Sequence, residues 1–346
     1  MVEPLRGRVI LATGQANLWP TSAALALTFA ILSGAFFGGP VNAEAPLPIE
    51  EVLARVSADR MMESVRDLES FGSRAFYVNS SLDAAMYISD RFAAIGLWVT
   101  LQYLEVDGYS VPNVIGVKNG TGGAGEMYLF GAHYDSVNKD AENNTIGESL
   151  LAPGADDDAS GIAAVIEIAT LTKDFVLEHT LKFVAFGAEE SGLNGSRAFV
   201  AAERAAGAAY GDTVIFDMIG YRNGTVNKVM LFTDHPDETF PVRIRQVVVD
   251  YGIDLSIDLV GRADYAFSDQ YSFWQQGYPT TAILEEFYGT RPVNPYYHTE
   301  HDVSEHLCPE QMVAVSQAVL GALLLLEQSE PQRNPHSWII AAGSVT

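Results

Sequence analysis

The stretch TLKFVAFGAEES, residues 180–191, is apolar for most of its length and then sets two glutamates side by side. A half-exposed strand alternates polar and apolar residues. A nearly unbroken apolar run instead reads as a central strand covered on both faces. Strands of that kind lie in sheets sandwiched between helices, and open sheets of this type bind ligands beyond the carboxyl ends of their strands. Glu189 and Glu190 fall at that point.

Outward from this strand the arrangement repeats. GAHYDS places His133 and Asp135 just past the apolar segment 126–132, and Asp217 closes the segment 213–217. YYHTEHD, with His298, follows the segment 278–285 through a loop holding Pro292 and Pro295. The polar loop 135–151 leads to APGADDDASGIA (152–163), which sets Asp156, Asp157 and Asp158 before a helix over 160–173 that is apolar on most sides. Helical spacing also predicts helices over 57–70, 82–95, 194–206, 236–251 and 309–328. Further extended segments are 97–106, 112–118, 226–233 and the DLSIDLV stretch. Alternation of this kind predicts a three-layer α/β/α fold with a mixed, mostly parallel central sheet.

Charge narrows the partners. The 346 residues include 44 acidic and 20 basic side chains, a net charge of −24. Such a surface repels the phosphates of nucleic acid and anionic membranes, so no nucleic-acid partner is expected. A hydrophobic share of 48% argues for a folded globule rather than an acidic disordered chain. Arg6 and Arg8 precede the apolar run SAALALTFAILSGAFF (22–37), and Val41-Asn42-Ala43 resembles a signal-peptidase site. Residues 1–43 are therefore expected to be a signal peptide, with an uncleaved anchor or a buried helix as the alternatives. The product would be secreted or periplasmic, without stable membrane insertion after cleavage. It would comprise one domain, 44–330, and a loosely held tail, 331–346. Cys308 is the only cysteine, which excludes an internal disulfide.

Two imidazoles and several carboxylates gathered at one sheet edge repel and perturb one another unless a cation lies among them. Nitrogen and oxygen donors without thiolate suit zinc, manganese or cobalt, and histidine favours zinc. A metal pair needs a bridging carboxylate, and one aspartate of the triple is suited to that place. Each piece alone has a plainer reading. HYD is a strand-end histidine with a hydrogen-bonding neighbour, AEES a solvated helix start, and the three aspartates a cap. His179, His235, His306 and His336 read as surface residues, while His301 competes with His298.

Together and in order, GAHYDS, APGADDDASGIA, GAEESGLNGS, FDMIG and YHTEHD resemble the zinc-dependent aminopeptidases of the bacterial leucyl aminopeptidase type. These are dizinc exopeptidases whose relatives include glutamate carboxypeptidases and glutaminyl cyclases, and the similarity spans about residues 55–328. The resemblance implies two Zn2+ ions, with Mn2+ or Co2+ as substitutes. His133 and Asp217 would hold one ion and Glu190 and His298 the other. Asp157 would bridge them, followed by a cis peptide bond. Asp135 would orient His133, and Asp158 would steady the turn. Glu189 would be the general base, and Tyr265 would donate to the developing oxyanion, with ordinary packing as the alternative for Tyr265. Some secreted members flank that tyrosine with a disulfide; here Ala263 and Phe267 stand at the matching positions. Met218, Leu284, Phe287 and Tyr297 are candidates to line a pocket for a hydrophobic N-terminal side chain, or else plain core.

The implied activity is removal of N-terminal residues from peptides with a free N-terminus. A carboxypeptidase or dipeptidase is one alternative, with Arg262 or Arg291 as the cation for a substrate carboxylate. A glutaminyl cyclase with a single zinc is another. A non-catalytic receptor-like domain is a third, although such domains usually lose ligands or the base, and all six positions are filled here.

Overall fold

The computed structural model describes residues 47–123, 125–139, 151–234, 239–261, 267–288 and 291–329. The residues read as signal peptide and tail lie outside these ranges, as do Arg262, Ala263 and Tyr265. From the amino end come α1 (Ile49–Leu53), α2 (Ala58–Glu69), α3 (Asn79–Ile95), β1 (Trp98–Val106), β2 (Tyr109–Lys118) and β3 (Met127–His133). A wide distorted turn, Ala155–Ser160, leads into α4 (Gly161–Thr172). Then follow β4 (Thr180–Phe186), α5 (Asn194–Ala205), β5 (Tyr210–Asp217), β6 (Lys228–Thr233), α6 (Thr239–Asp250) and β7 (Ser256–Gly261). The chain continues through α7 (Gln270–Gln275), β8 (Thr280–Leu284) and the short pair β9 (Phe287–Tyr288) and β10 (Arg291–Pro292) to α8 (Pro309–Ser329).

Eight strands form one sheet in the order β1-β2-β4-β3-β5-β8-β6-β7. The four central strands β4, β3, β5 and β8 run parallel, whereas β2 joins β4 and β6 joins β8 antiparallel. The sheet is mixed and mostly parallel, with helices on both faces, as the element pattern predicts. Alternation explains the unbroken apolar strands. Leu181, Phe183 and Ala185 of β4 enter one buried cluster with residues of α2, α4, α6 and α8, while Val184 and Phe186 enter a second with Phe199 of α5 and Phe273 of α7. Both sides of each central strand meet apolar partners, so neither side needs polar residues.

Some boundaries differ from expectation. β2 starts at Tyr109, not at 112, because Asp107 and Gly108 take positive φ values of 49° and 87° and turn β1 tightly back on itself. Asp-Gly favours that two-residue hairpin turn. α3 begins at Asn79, three residues early, and α7 was not foreseen. α8 is long and apolar enough to cross a membrane by length and composition, but most of it is buried in the first cluster. His179 is not a bare surface residue, since its Nδ1 lies 2.8 Å from Glu327 Oε1 on α8.

The register brings the polar strand ends together. His133 lies opposite Phe186, and Asp217 opposite Leu284. His133, Glu189, Glu190 and Asp217 therefore leave the sheet along the same edge.

Candidate metal centre

His133 Nε2 lies 3.1 Å from Asp157 Oδ1 and 3.8 Å from Asp217 Oδ1. Across Asp157, His298 Nε2 lies 3.1 Å from Asp157 Oδ2 and 2.8 Å from Glu190 Oε1. The structure thus sets His133 and Asp217 on one side of Asp157, and Glu190 and His298 on the other. Asp157 turns one oxygen to each histidine. Asp157 Oδ2 and Glu190 Oε1 are buried and accept no hydrogen bond. Two orphaned carboxylate oxygens facing an imidazole nitrogen fit a divalent cation bound by nitrogen and oxygen.

Asp158 also comes within 4.8 Å of His133 and Asp217 by ligand atoms, so it competes with Asp157 for the first position. Its oxygens are already engaged. Oδ1 accepts from Gly161 N (2.9 Å) and Met218 N (3.2 Å), and Oδ2 from His133 N (3.2 Å). Asp158 anchors the turn and leaves Asp157 to the ligand. The Asp157–Asp158 peptide bond is cis.

Local backbone shape places the remaining groups. Ala188, Met218 and His298 have φ near +55° to +58°, a region that residues with a Cβ seldom enter. These positions sit where the chain leaves β4 and β5 and in the His298 loop, where backbone outliers tend to gather around function. Asp135 accepts from Glu189 N (3.0 Å) and Glu190 N (3.2 Å). The His133 Nδ1 is 3.1 Å from the Asp135 carbonyl oxygen and 3.6 Å from its Oδ1. One aspartate thereby ties the HYD turn to the AEES turn.

Asp156, read in the sequence only as one of the triple, and several residues unread there complete the site. Asp302 accepts from Asp156 N (2.9 Å) and Asp157 N (3.0 Å). Asp156 accepts from Gly220 N, Tyr221 N and Asn294 Nδ2. Arg74, with no exposed surface, donates to the carbonyls of Leu68, Tyr134, Pro153 and Gly154. Lys139 Nζ lies 2.8 Å from Glu190 Oε2. Glu285, buried just after β8, carried the signal used for Glu189 and Asp217, an acid closing an apolar strand. Arg74 carried no such signal.

Electrostatics follow from burial and crowding. Burial pulls the His133 imidazole down, but Glu189, Asp135, Asp157 and Asp217 together hold it well above its usual value. His298 is pushed up to about 9, Glu190 and Asp157 outweighing its burial. Burial opposes ionisation of Asp157, yet His133 and His298 hold it well below the carboxylate range. Burial raises Glu189 well above that range, against the pull of His133.

The candidate pocket residues are closed in. Met218, Leu284 and Phe287 belong to the second apolar cluster, with Tyr297 packed against it and its ring 3.5 Å from that of His298. Met218, Leu284 and Phe287 are almost fully buried in that cluster. His301 is exposed and takes no part, and Arg291 is exposed on β10. Phe267 is exposed, next to the undescribed segment that holds Tyr265.

Similarity to known proteins agrees with this geometry. The model of peptidase family M28 matches residues 113–323. A probable leucine aminopeptidase of Arthroderma otae is 26% identical over 294 residues, covering 82% of this chain and 76% of that protein. LapB from Legionella pneumophila is 25% identical with a TM-score of 0.70, covering 83% of this chain and 76% of its own. BSAP, a zinc aminopeptidase from Bacillus subtilis, shares the fold with a TM-score of 0.68 at 17% identity, over 82% of this chain and 98% of its own.

Proposed function

The chain belongs to peptidase family M28, and we propose that it is a secreted dizinc aminopeptidase that removes hydrophobic N-terminal residues from peptides. The observation that carries the reading is the pair of donor triads sharing Asp157, with Glu189 one residue before the Glu190 ligand. His133, Asp157 and Asp217 would hold one zinc, and Asp157, Glu190 and His298 the other. When bound, the metal pair supplies Lewis-acid activation of water and of the scissile carbonyl.

The chain's own groups supply the rest. Glu189, raised by burial, takes the proton of the attacking water as its hydroxyl adds to the carbonyl carbon. It returns that proton to the amine nitrogen as the C–N bond breaks. Asp135 fixes Glu189 through its backbone amide and so keeps the base at a constant distance from the triads. The net charge of −24 and the carboxylates at the cleft favour a substrate with a free α-ammonium group. Relatives named as leucine aminopeptidases support a hydrophobic first residue. Arg6, Arg8, the apolar run 22–37 and the Val41-Asn42-Ala43 site support export.

The test is hydrolysis of leucine p-nitroanilide as zinc is titrated into chelator-stripped protein. Activity is expected to saturate near two zinc ions per chain. Glu189→Gln should keep both ions and lose about 10²–10⁴-fold in kcat, the usual contribution of a positioned base. Protein that binds no zinc would refute the metal centre, and a variant as active as wild type would refute the role of Glu189.

A further inference from the structure

Glu190 differs from the other candidate ligands in one respect. Its Oε1 faces His298 Nε2 at 2.8 Å and accepts no hydrogen bond, whereas its Oε2 is held by the Lys139 ammonium at 2.8 Å. Lys139 is itself fixed, since its backbone N donates to the His298 carbonyl at 2.9 Å. Its side chain is mostly buried, and Glu190 and Asp157 hold its charge in place against desolvation. One lysine therefore binds the backbone of one candidate ligand and the carboxylate of another.

We propose that Lys139 is a positioning residue that restricts Glu190 to a single donor oxygen and thereby makes the His298 half of the centre selective for zinc over manganese. This rests on the metal-centre reading above. The chemistry is direct. With Oε2 committed to an ammonium, this half offers three protein donors, namely His298 Nε2, Asp157 Oδ2 and Glu190 Oε1. Zinc accepts four-coordinate surroundings readily, while manganese seeks six oxygen-rich positions. A second oxygen from Glu190 would favour the larger coordination number, and Lys139 withholds it. The His133 half has no corresponding ion pair among the described residues, so the two halves are inequivalent. An ammonium is a point charge that pairs with one oxygen and leaves the other free, which the two-pronged guanidinium of Arg would not.

The experiment titrates metal-free full chain with Zn2+ and with Mn2+ by calorimetry, for wild type, Lys139→Met and Lys139→Gln. In wild type, two zinc ions are expected to bind in distinguishable steps. In Lys139→Met and Lys139→Gln the zinc-over-manganese ratio of one step should fall by about tenfold or more, the scale on which groups around a ligand tune a site. The other step should not move. Cobalt-substituted Lys139→Met should absorb more weakly in the visible as its coordination number rises. Two zinc ions bound with an unchanged ratio in both neutral variants would overturn the proposal while leaving the metal centre intact. A wild-type chain that binds no metal would take down both.

Discussion

Arg74→Met should destabilise the metal-free protein by about 2–6 kcal/mol. Arg74 is fully buried and joins three segments: its Nε donates to Tyr134 O at 2.6 Å, one Nη to Leu68 O and Pro153 O, and the other to Gly154 O at 2.8 Å. Leu68 O also accepts from Phe71 N, and Gly154 O from Ala159 N, so both keep a donor in the variant. Tyr134 O and Pro153 O have no second donor among the described bonds. Methionine fills much of the volume but satisfies neither. Each orphaned buried carbonyl costs about 1–3 kcal/mol, which gives the range above. Against a total stability of about 5–15 kcal/mol, that is a large fraction. The same substitution frees Gly154, three residues before Asp157, and removes a cation that favours ionisation of Asp157 and Asp158 nearby. Urea denaturation of chelated protein, followed by tryptophan fluorescence and circular dichroism, measures the loss. A shift under about 1 kcal/mol in folded, monodisperse variant would refute the claim that these carbonyls depend on Arg74.

Two further outcomes are expected. His298 titrates near 9 in the metal-free chain against an ordinary 6.5, so zinc must displace a proton to bind there. Apparent zinc affinity for that half should rise about tenfold per pH unit between 7 and 9, read by competition with a chromophoric chelator. Because the folded value is the higher one, the stabilisation that protonated His298 gives metal-free protein is complete below 6.5. It is lost as pH rises toward 9, by on the order of 3 kcal/mol; denaturation midpoints that rise across this window would contradict it. On the far side of the core, Glu167 is buried within α4 and accepts from Arg60 Nε (2.9 Å) and Ser57 N (2.8 Å). Arg60→Met should cost about 1.5–3 kcal/mol, the range for a hydrogen bond to a charged group, and leave zinc stoichiometry unchanged.

The parts of the fold that could be read from the sequence share a physical reason. β3, β4, β5 and β8 are covered on both faces, so most of their residues are apolar, and acids at their ends stood out. β2 was read short because its first residues, Tyr109 and Ser110, are exposed and carry no apolar signal; the Asp107-Gly108 turn was the available clue. α7 is six residues long and owes its place to the contacts of Phe273 and Trp274 with the second cluster, which no local pattern announces. Within the site, the ligands sat in short motifs. Arg74, Asp302 and Lys139 act on residues 60, 146 and 51 positions away, and pairings at such separations exist only once the chain has folded.

Three consecutive aspartates with one shared composition take three different tasks, and the backbone decides between them. Asp157 and Asp158 leave helical geometry at φ, ψ of −109°, 88° and −132°, 49°, so neighbouring side chains point apart rather than along one helix face. Asp156 turns to Gly220 N and Tyr221 N beyond β5, and Asp158 turns to Gly161, Met218 and His133. Asp302 and Asp135 use both their oxygens on backbone amides as well. Four carboxylates are thus consumed in holding loops at one sheet edge. Backbone amides carry partial positive charge and offset part of the cost of burying these acids, although burial still raises Asp156, Asp158 and Asp302 above the usual carboxylate range. Among the oxygens they leave over are Asp157 Oδ2 and Glu190 Oε1, buried and facing only His298 Nε2. The acids that look redundant in the sequence are the ones that keep those two oxygens in place and unspent.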